Sequence, residues 1–365
     1  MTDLADSRDI VKAVLSQIFQ LSHFSGEFLG ERKTVLLGSA FASLVNSEIS
    51  RMTKEHDRFD GIPTMVTPRE LRLLANLFST VPIDGPVLEI GCYLGGSTGA
   101  IARGLEMAQA ANRLYVLDSF MWQDPGFVKV LGRDIDHLRR NENLSDAAVE
   151  ATRGGDWHLA FHEIHKSRPY YDRLEVCRAL IPYKTADTFD LLKYVPNGTK
   201  FGAVFVDGFK SWESTYSGMK ALVPFVRPGT LLIFQDFSWC TCYWLPLLIS
   251  SLGCHLLMKV DNTAVFVVGS ESRMVNGIEK FGQSPNFDNY LIYRDILTNY
   301  ARSMFHSGDD VGFLLHTAQS YVLAHTFGEA EEARKLFGFI EQLCDRLGVD
   351  WLIPKLSATS FQVHQ

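Results

Sequence analysis

The stretch Glu89-Ile90-Gly91-Cys92-Tyr93-Leu94-Gly95-Gly96-Ser97-Thr98 decides the reading of the fold, because three glycines stand between an apolar run and a helical pattern. The run Val87-Leu88-Glu89-Ile90 follows Pro86 and predicts a strand, residues 98–107 carry helical spacing, and Leu114-Tyr115-Val116-Leu117 is a second strand-like run. Together they make a strand–helix–strand unit. Glycines at such a turn let the backbone pass close to a ligand with no Cβ in the way, and the helix start presents unpaired N–H groups. A bound group with acceptor oxygens is the expectation.

The glycine spacing narrows that ligand. A nicotinamide fingerprint reads Gly-x-Gly-x-x-Gly, whereas this turn reads Gly-x-x-x-Gly-Gly with an acid, Glu89, just ahead of it. That favours a cofactor without a pyrophosphate. Asp118 ends the second strand, where a carboxylate can accept both hydroxyls of a ribose. The ligand is therefore read as a nucleoside.

Outward from this unit, further apolar runs at 174–179, 201–206 and 231–234 predict buried strands, with helical segments at 186–194 and 213–225. Strands buried on both faces read as continuous apolar runs, so the sheet is expected to be parallel and doubly wound. A helix is expected over 240–252. Residues 255–260 and 264–268 flank Asp261-Asn262-Thr263 and read as an antiparallel hairpin closing the sheet. The expected fold is α/β, a doubly wound seven-stranded Rossmann-like sheet with that C-terminal hairpin.

Helical additions surround it. Residues 8–54 carry Ile10, Val14, Ile18, then Leu36, Phe41, Leu44 and Ile49 at helical spacing, and Thr67-Pro68-Arg69-Glu70 is a helix start with its N-cap hydroxyl, proline and glutamate in place. The long connection 121–173 reads as a helical lid insertion. Three units follow: an N-terminal helical extension over 1–80, a core over 81–270 containing the lid, and a C-terminal helical cap over 271–365.

Composition excludes several classes. Of 365 residues, 46% are hydrophobic and 21% charged, which is globular and neither disordered nor fibrous. Thirty-five basic against 42 acidic residues give a net charge of -7, too little positive charge for nucleic-acid binding. The start, MTDLADSRDI, lacks a secretory pattern, so a cytoplasmic protein is expected. The apolar stretch 240–258 is interrupted by Pro246, Gly253 and His255 and reads as core, with no membrane association expected. Six cysteines without zinc or redox spacing read as reduced packing residues.

Ribose readout, a pyrophosphate-free glycine turn and a closing hairpin resemble the class I S-adenosylmethionine-dependent methyltransferases over about residues 86–269. More narrowly, Leu117-Asp118-Ser119-Phe120, Val206-Asp207-Gly208-Phe209-Lys210-Ser211-Trp212-Glu213, Arg227-Pro228-Gly229-Thr230 and Gln235-Asp236 resemble the small-molecule O-methyltransferases related to macrocin O-methyltransferase. The resemblance implies S-adenosyl-L-methionine as cofactor. Glu89, Gly91, Tyr93, Gly95 and Ser97 would lie along its methionine side, Asp118 with Ser119 and Phe120 at the ribose, and Ala179 near the adenine, with Asp207 at the reacting end.

That family commonly holds magnesium through an Asp-Gly-Asp or Asp-Gly-Asp-His stretch and paired acids after the fifth strand. This chain departs from it: Phe209 replaces the second acid, Lys210 the histidine, and Gln235 the first of the paired acids. Magnesium on Asp207 and Asp236 is the expectation the resemblance carries, and these departures weigh against it. Methyl transfer depends chiefly on positioning, worth up to ~7–11 kcal/mol, while a general base adds ~10²–10⁴-fold. Candidate bases are Asp207, Lys210 if burial lowers its pKa, and His162, which shares a helical face with His158 and His165.

The resulting expectation is methyl transfer to a hydroxyl of a small molecule, a secondary metabolite or its precursor, by a homo-oligomer. N-transfer is the nearest variant. A cofactor-fold enzyme catalysing cyclisation or hydrolysis, and a non-catalytic partner subunit, are the rivals from other classes.

Overall fold

The computed structural model describes residues 61–140, 144–180 and 189–362. The helices expected over 8–54 lie outside the described residues. Helix α1 (Pro68–Thr80) starts as its sequence dictates: the Thr67 hydroxyl accepts the Glu70 N–H, the Glu70 carboxylate accepts the Thr67 N–H at 2.8 Å, and proline opens the first turn. Strand β1 (Val87–Ile90), helix α2 (Gly96–Met107) and strand β2 (Leu114–Asp118) then form the unit read from the glycine turn.

The 121–173 connection holds helices α3 (Pro125–Arg139), α4 (Asp146–Arg153) and α5 (His158–His165). Strands β3 (Leu174–Arg178) and β4 (Ala203–Val206), helix α6 (Trp212–Leu222), strand β5 (Leu231–Phe234) and helix α7 (Trp244–Leu252) complete the parallel part. Strands β6 (His255–Val260) and β7 (Thr263–Val267) make the hairpin. The C-terminal cap comprises α8 (Glu271–Phe281), α9 (Tyr290–His306), α10 (Asp310–Thr326), α11 (Ala330–Leu347) and α12 (Leu352–Gln362).

The sheet order is β3-β2-β1-β4-β5-β7-β6, parallel except for β7, which is antiparallel to both neighbours. Alternation along each strand divides the core. Val87, Val116, Phe205 and Ile233 face α1, α2 and the helices of the 121–173 connection, through Leu74, Phe78, Ile101, Leu131 and Phe161. Leu88, Val204, Leu232 and Phe266 face α6, α7 and the cap, through Met219, Leu248, Met274 and Leu314. Each fully buried large side chain of this kind contributes ~1.5–3 kcal/mol. The three helices of the connection therefore bury one face in the core as well as bordering the cleft.

Two helical expectations change. Where 186–194 was expected to be helical, the described residues hold only a 3₁₀ turn, Leu191–Lys193: Asp190 accepts the Leu192 N–H at 3.1 Å, and Pro196 bars continuation. The helix expected over 240–252 begins only at Trp244, because residues 239–243 are turns whose carbonyls are held by the cap. Among the described residues no helix is long and apolar enough to cross a membrane.

Candidate active site

All parallel strands end at one edge, where the loops after β1, β2, β4 and β5 meet. Gly91 has φ +85°, and a Cβ there would lie 2.8 Å from the Gly208 nitrogen, so the glycine lets the β1 and β4 loops touch. Gly95, at φ +90°, caps α2 without a side-chain hydrogen bond, and a Cβ there would collide with the His165 ring. The start of α2 thus carries no side-chain acceptor, which fits the carboxylate of an amino-acid tail.

Acids brace this turn from within. Glu89 is fully buried and accepts the hydroxyls of Ser97 at 2.5 Å and Thr98 at 2.6 Å. Burial raises its pKa to about 8 against those two hydrogen bonds, so it holds its proton at neutral pH. Asp118 accepts the N–H groups of Cys92 at 2.8 Å, Tyr93 at 3.1 Å and Phe120 at 2.8 Å, with the Ser119 hydroxyl at 3.4 Å. Burial also raises the Asp118 pKa, against these backbone hydrogen bonds. Backbone N–H groups take three of a carboxylate's about four acceptor directions, and the Ser119 hydroxyl, 3.4 Å from Asp118 but 3.1 Å from the Met121 carbonyl, only weakly engages the fourth.

The other nominated residues spread around these. The Tyr93 hydroxyl donates to Asp134 on α3 at 3.1 Å, and its ring packs edge-on against Phe127 and Trp157. Phe120 is fully buried against Trp157, His158 and Phe161. Ala179, fully buried, donates its N–H to the Asp118 carbonyl at 2.8 Å and so continues β3 alongside the end of β2.

The helical spacing of His158, His162 and His165 does not produce one site. His165 is buried and bonds the Leu94 carbonyl at 3.1 Å through Nε2, which must therefore carry the proton, leaving Nδ1 for the Tyr170 hydroxyl at 3.1 Å. Burial lowers its pKa to about 4. His162 is half-buried and bonds Tyr171 at 2.8 Å and His158 at 3.3 Å, with no hydrogen bond to the β4–β5 acids. Burial lowers the His162 pKa too, so it is a neutral imidazole near pH 7.

At the ends of β4 and β5 the arrangement is ionic. Lys210 Nζ donates to Asp207, to Asp236 at 2.7 Å and to the Gln235 side-chain oxygen at 3.4 Å. Side-chain exposures of 30% for Lys210, 19% for Asp207 and 20% for Asp236 leave the cluster open to the cleft. Burial alone would lower the Lys210 pKa, but the charges of Asp207 and Asp236 outweigh it and raise it. That direction is opposite to the one a general base needs, so Lys210 is a permanent cation here. Among the described residues, no group of three or more His, Cys, Asp or Glu is placed to hold a metal.

Two further residues hold the site that sequence reasoning passed over. Glu70, besides capping α1, accepts the Asn262 N–H at 2.9 Å and the Thr263 hydroxyl at 3.0 Å, and the Asn262 carbonyl accepts the Phe237 N–H next to Asp236. Gln319 on α10, fully buried, donates to the Phe237 and Trp239 carbonyls at 2.9 Å each. The signal for Gln319 was present: His316, Thr317, Gln319 and Ser320 interrupt an otherwise apolar helix. Asp236 itself is left-handed, at φ +61°, between these two clamps. An open depression lined by Gly85, Asn112, Tyr115 and Lys200 lies at the opposite, amino edge of the strands, away from every acid named here.

Residues 88–237, from β1 through the end of β5, match a family model described as a methyltransferase domain. No curated protein matches the chain. Among solved structures, an O-methyltransferase from Bacillus cereus in complex with SAH is 15% identical, with 73% of this chain and 83% of that one covered and a TM-score of 0.28. An SAH-bound methyltransferase from Podospora anserina is 13% identical, with the same coverages and a TM-score of 0.30. A TDP-rhamnose 3'-O-methyltransferase of calicheamicin biosynthesis is 15% identical, covering 62% of this chain and 94% of that one, with a TM-score of 0.33. The matched stretch, which holds the glycine turn, Asp118, Asp207 and Asp236, is similar to a methyltransferase domain.

Proposed function

We propose that the chain transfers a methyl group from S-adenosylmethionine to a hydroxyl of a small molecule, in secondary metabolism. The observation that carries this reading is the convergence at one sheet edge of the glycine turn, the Asp118 carboxylate and the open Asp207–Lys210–Asp236 cluster. The bound cofactor supplies a methyl group already activated by its sulfonium. The start of α2 receives the carboxylate of its tail, and Asp118 accepts one ribose hydroxyl while keeping the turn closed.

At the acceptor end, Lys210 engages one oxygen of Asp207 and one of Asp236, which leaves the second oxygen of each for an acceptor hydroxyl. A carboxylate so placed orients the hydroxyl for in-line attack and takes its proton as the oxygen–carbon bond forms and the carbon–sulfur bond breaks. His158 packs edge-on against Phe120 and His162 bonds Tyr171 and His158, so neither is hydrogen-bonded to the acids at this end. The partner in this reading is a small molecule, met by a homo-oligomer in the cytoplasm.

The test is incubation with methyl-labelled cofactor and a panel of phenols, sugars and hydroxylated macrolides. Label recovered as a methyl ether supports the reading; cofactor turnover with no label in any acceptor would point to the cyclisation or hydrolysis chemistry instead.

A further inference from the structure

The Lys210 ammonium fills the place between the Asp207 and Asp236 carboxylates where a divalent ion would have to sit. Its three N–H groups meet three oxygens, one each from Asp207, Asp236 and Gln235, so its donor capacity is saturated. A magnesium ion needs oxygens at ~2.0–2.1 Å and tolerates little departure from octahedral geometry. It cannot approach both carboxylates without expelling the ammonium, whose like charge also repels it.

Residue 209 closes the other route. Phe209 is buried, 3% exposed, with its ring so close to Gly218 on α6 that a Cβ there would lie 2.0 Å away. The position next to Gly208 is therefore committed to the core and presents no oxygen to the cleft. The remaining side chains, Asp207, Asp236 and Gln235, each already give one oxygen to Lys210.

We infer that Lys210 is the built-in cation of this acceptor site, and that the chain binds no divalent metal between Asp207 and Asp236. Lys210 balances one of the two carboxylate charges, holds the β4 and β5 loops at a fixed separation and keeps the free carboxylate oxygens aimed at the acceptor. The inference rests on the proposed methyltransferase reading for the site's purpose, while its geometry is independent of it.

The experiment is a manganese titration followed by electron paramagnetic resonance, on the wild-type chain and on Lys210→Ala, with adenosylmethionine binding measured in parallel in the presence of EDTA. The expected result is no saturable manganese binding to the wild type up to about 1 mM, the weak end of carboxylate sites, and binding at least about tenfold tighter in Lys210→Ala, where three oxygens are left without a cation. Saturable binding to the wild type that is lost in Asp236→Asn overturns the inference. So does a folded Lys210→Ala chain as indifferent to manganese as the wild type. The wild-type titration decides the question even where the variant fails to fold. Failure of adenosylmethionine to bind in EDTA, with manganese equally unbound, removes the methyltransferase reading and leaves the cation assignment standing.

Discussion

The two ends of the cleft satisfy their acids in opposite ways. At the glycine turn, Glu89 and Asp118 are sealed, 0% and 6% exposed, and are met by neutral donors: two hydroxyls and three backbone N–H groups. At the β4–β5 end, Asp207 and Asp236 are partly open and are met by a charge. A sealed acid paired with neutral donors makes a rigid cradle whose electrostatics change little when a ligand arrives. An open acid paired with an ammonium keeps oxygens available for a hydroxyl and its proton. In the proposed reading, the contrast separates cofactor holding from acceptor chemistry within one row of strand ends.

The sharpest way to break that contrast is through pH. Folded Glu89 keeps its proton up to about 8, whereas the unfolded side chain releases it near 4.5. Between those values the folded state binds more protons, so stability falls as pH rises through that window, by on the order of a few kcal/mol in total. Glu89→Gln, which stays neutral, should flatten that part of the profile. Urea midpoints for both proteins at pH 5, 6.5 and 8.5 check it; parallel profiles would mean that Glu89 is ionised and the turn is not sealed.

A smaller effect is expected where the cap reaches the open end. Gln319→Leu removes two hydrogen bonds, taking the donor from the buried Phe237 carbonyl while the Trp239 carbonyl keeps the Cys242 N–H, for a loss of about 1–3 kcal/mol. Because those carbonyls follow Asp236, the variant should also raise the KM for the acceptor while leaving adenosylmethionine binding unchanged. Equal weakening of both would show that the two ends are not separable.

What the sequence made legible follows the local character of each signal. The glycine turn, all seven strands and the α1 start depend on neighbours within a few residues, and each lies where its pattern placed it. The environment of Lys210 depends on Asp207 and Asp236 arriving from two different loops. Burial alone would lower its pKa, but the opposing charges, which tertiary structure brings in, raise it. Asp118 was found as an acid at a strand end, but its three backbone partners come from the β1 loop and its own turn, which spacing does not reveal. The three histidines shared a helical face in the sequence, yet one is sealed against Leu94 and another turned to Tyr171, because the surfaces packed against that face differ along its length.

The central claim is that an adenosyl cofactor lies on the glycine turn with its ribose at Asp118, and calorimetric titration of adenosylhomocysteine into the wild type and Asp118→Ala tests it most directly. The account predicts one saturable site per chain, weakened at least about tenfold in the variant, which loses a charged hydrogen bond worth ~1.5–3 kcal/mol along with the bracing of the turn. Absence of heat in the wild type, or an affinity unchanged by Asp118→Ala in a folded variant, would contradict it.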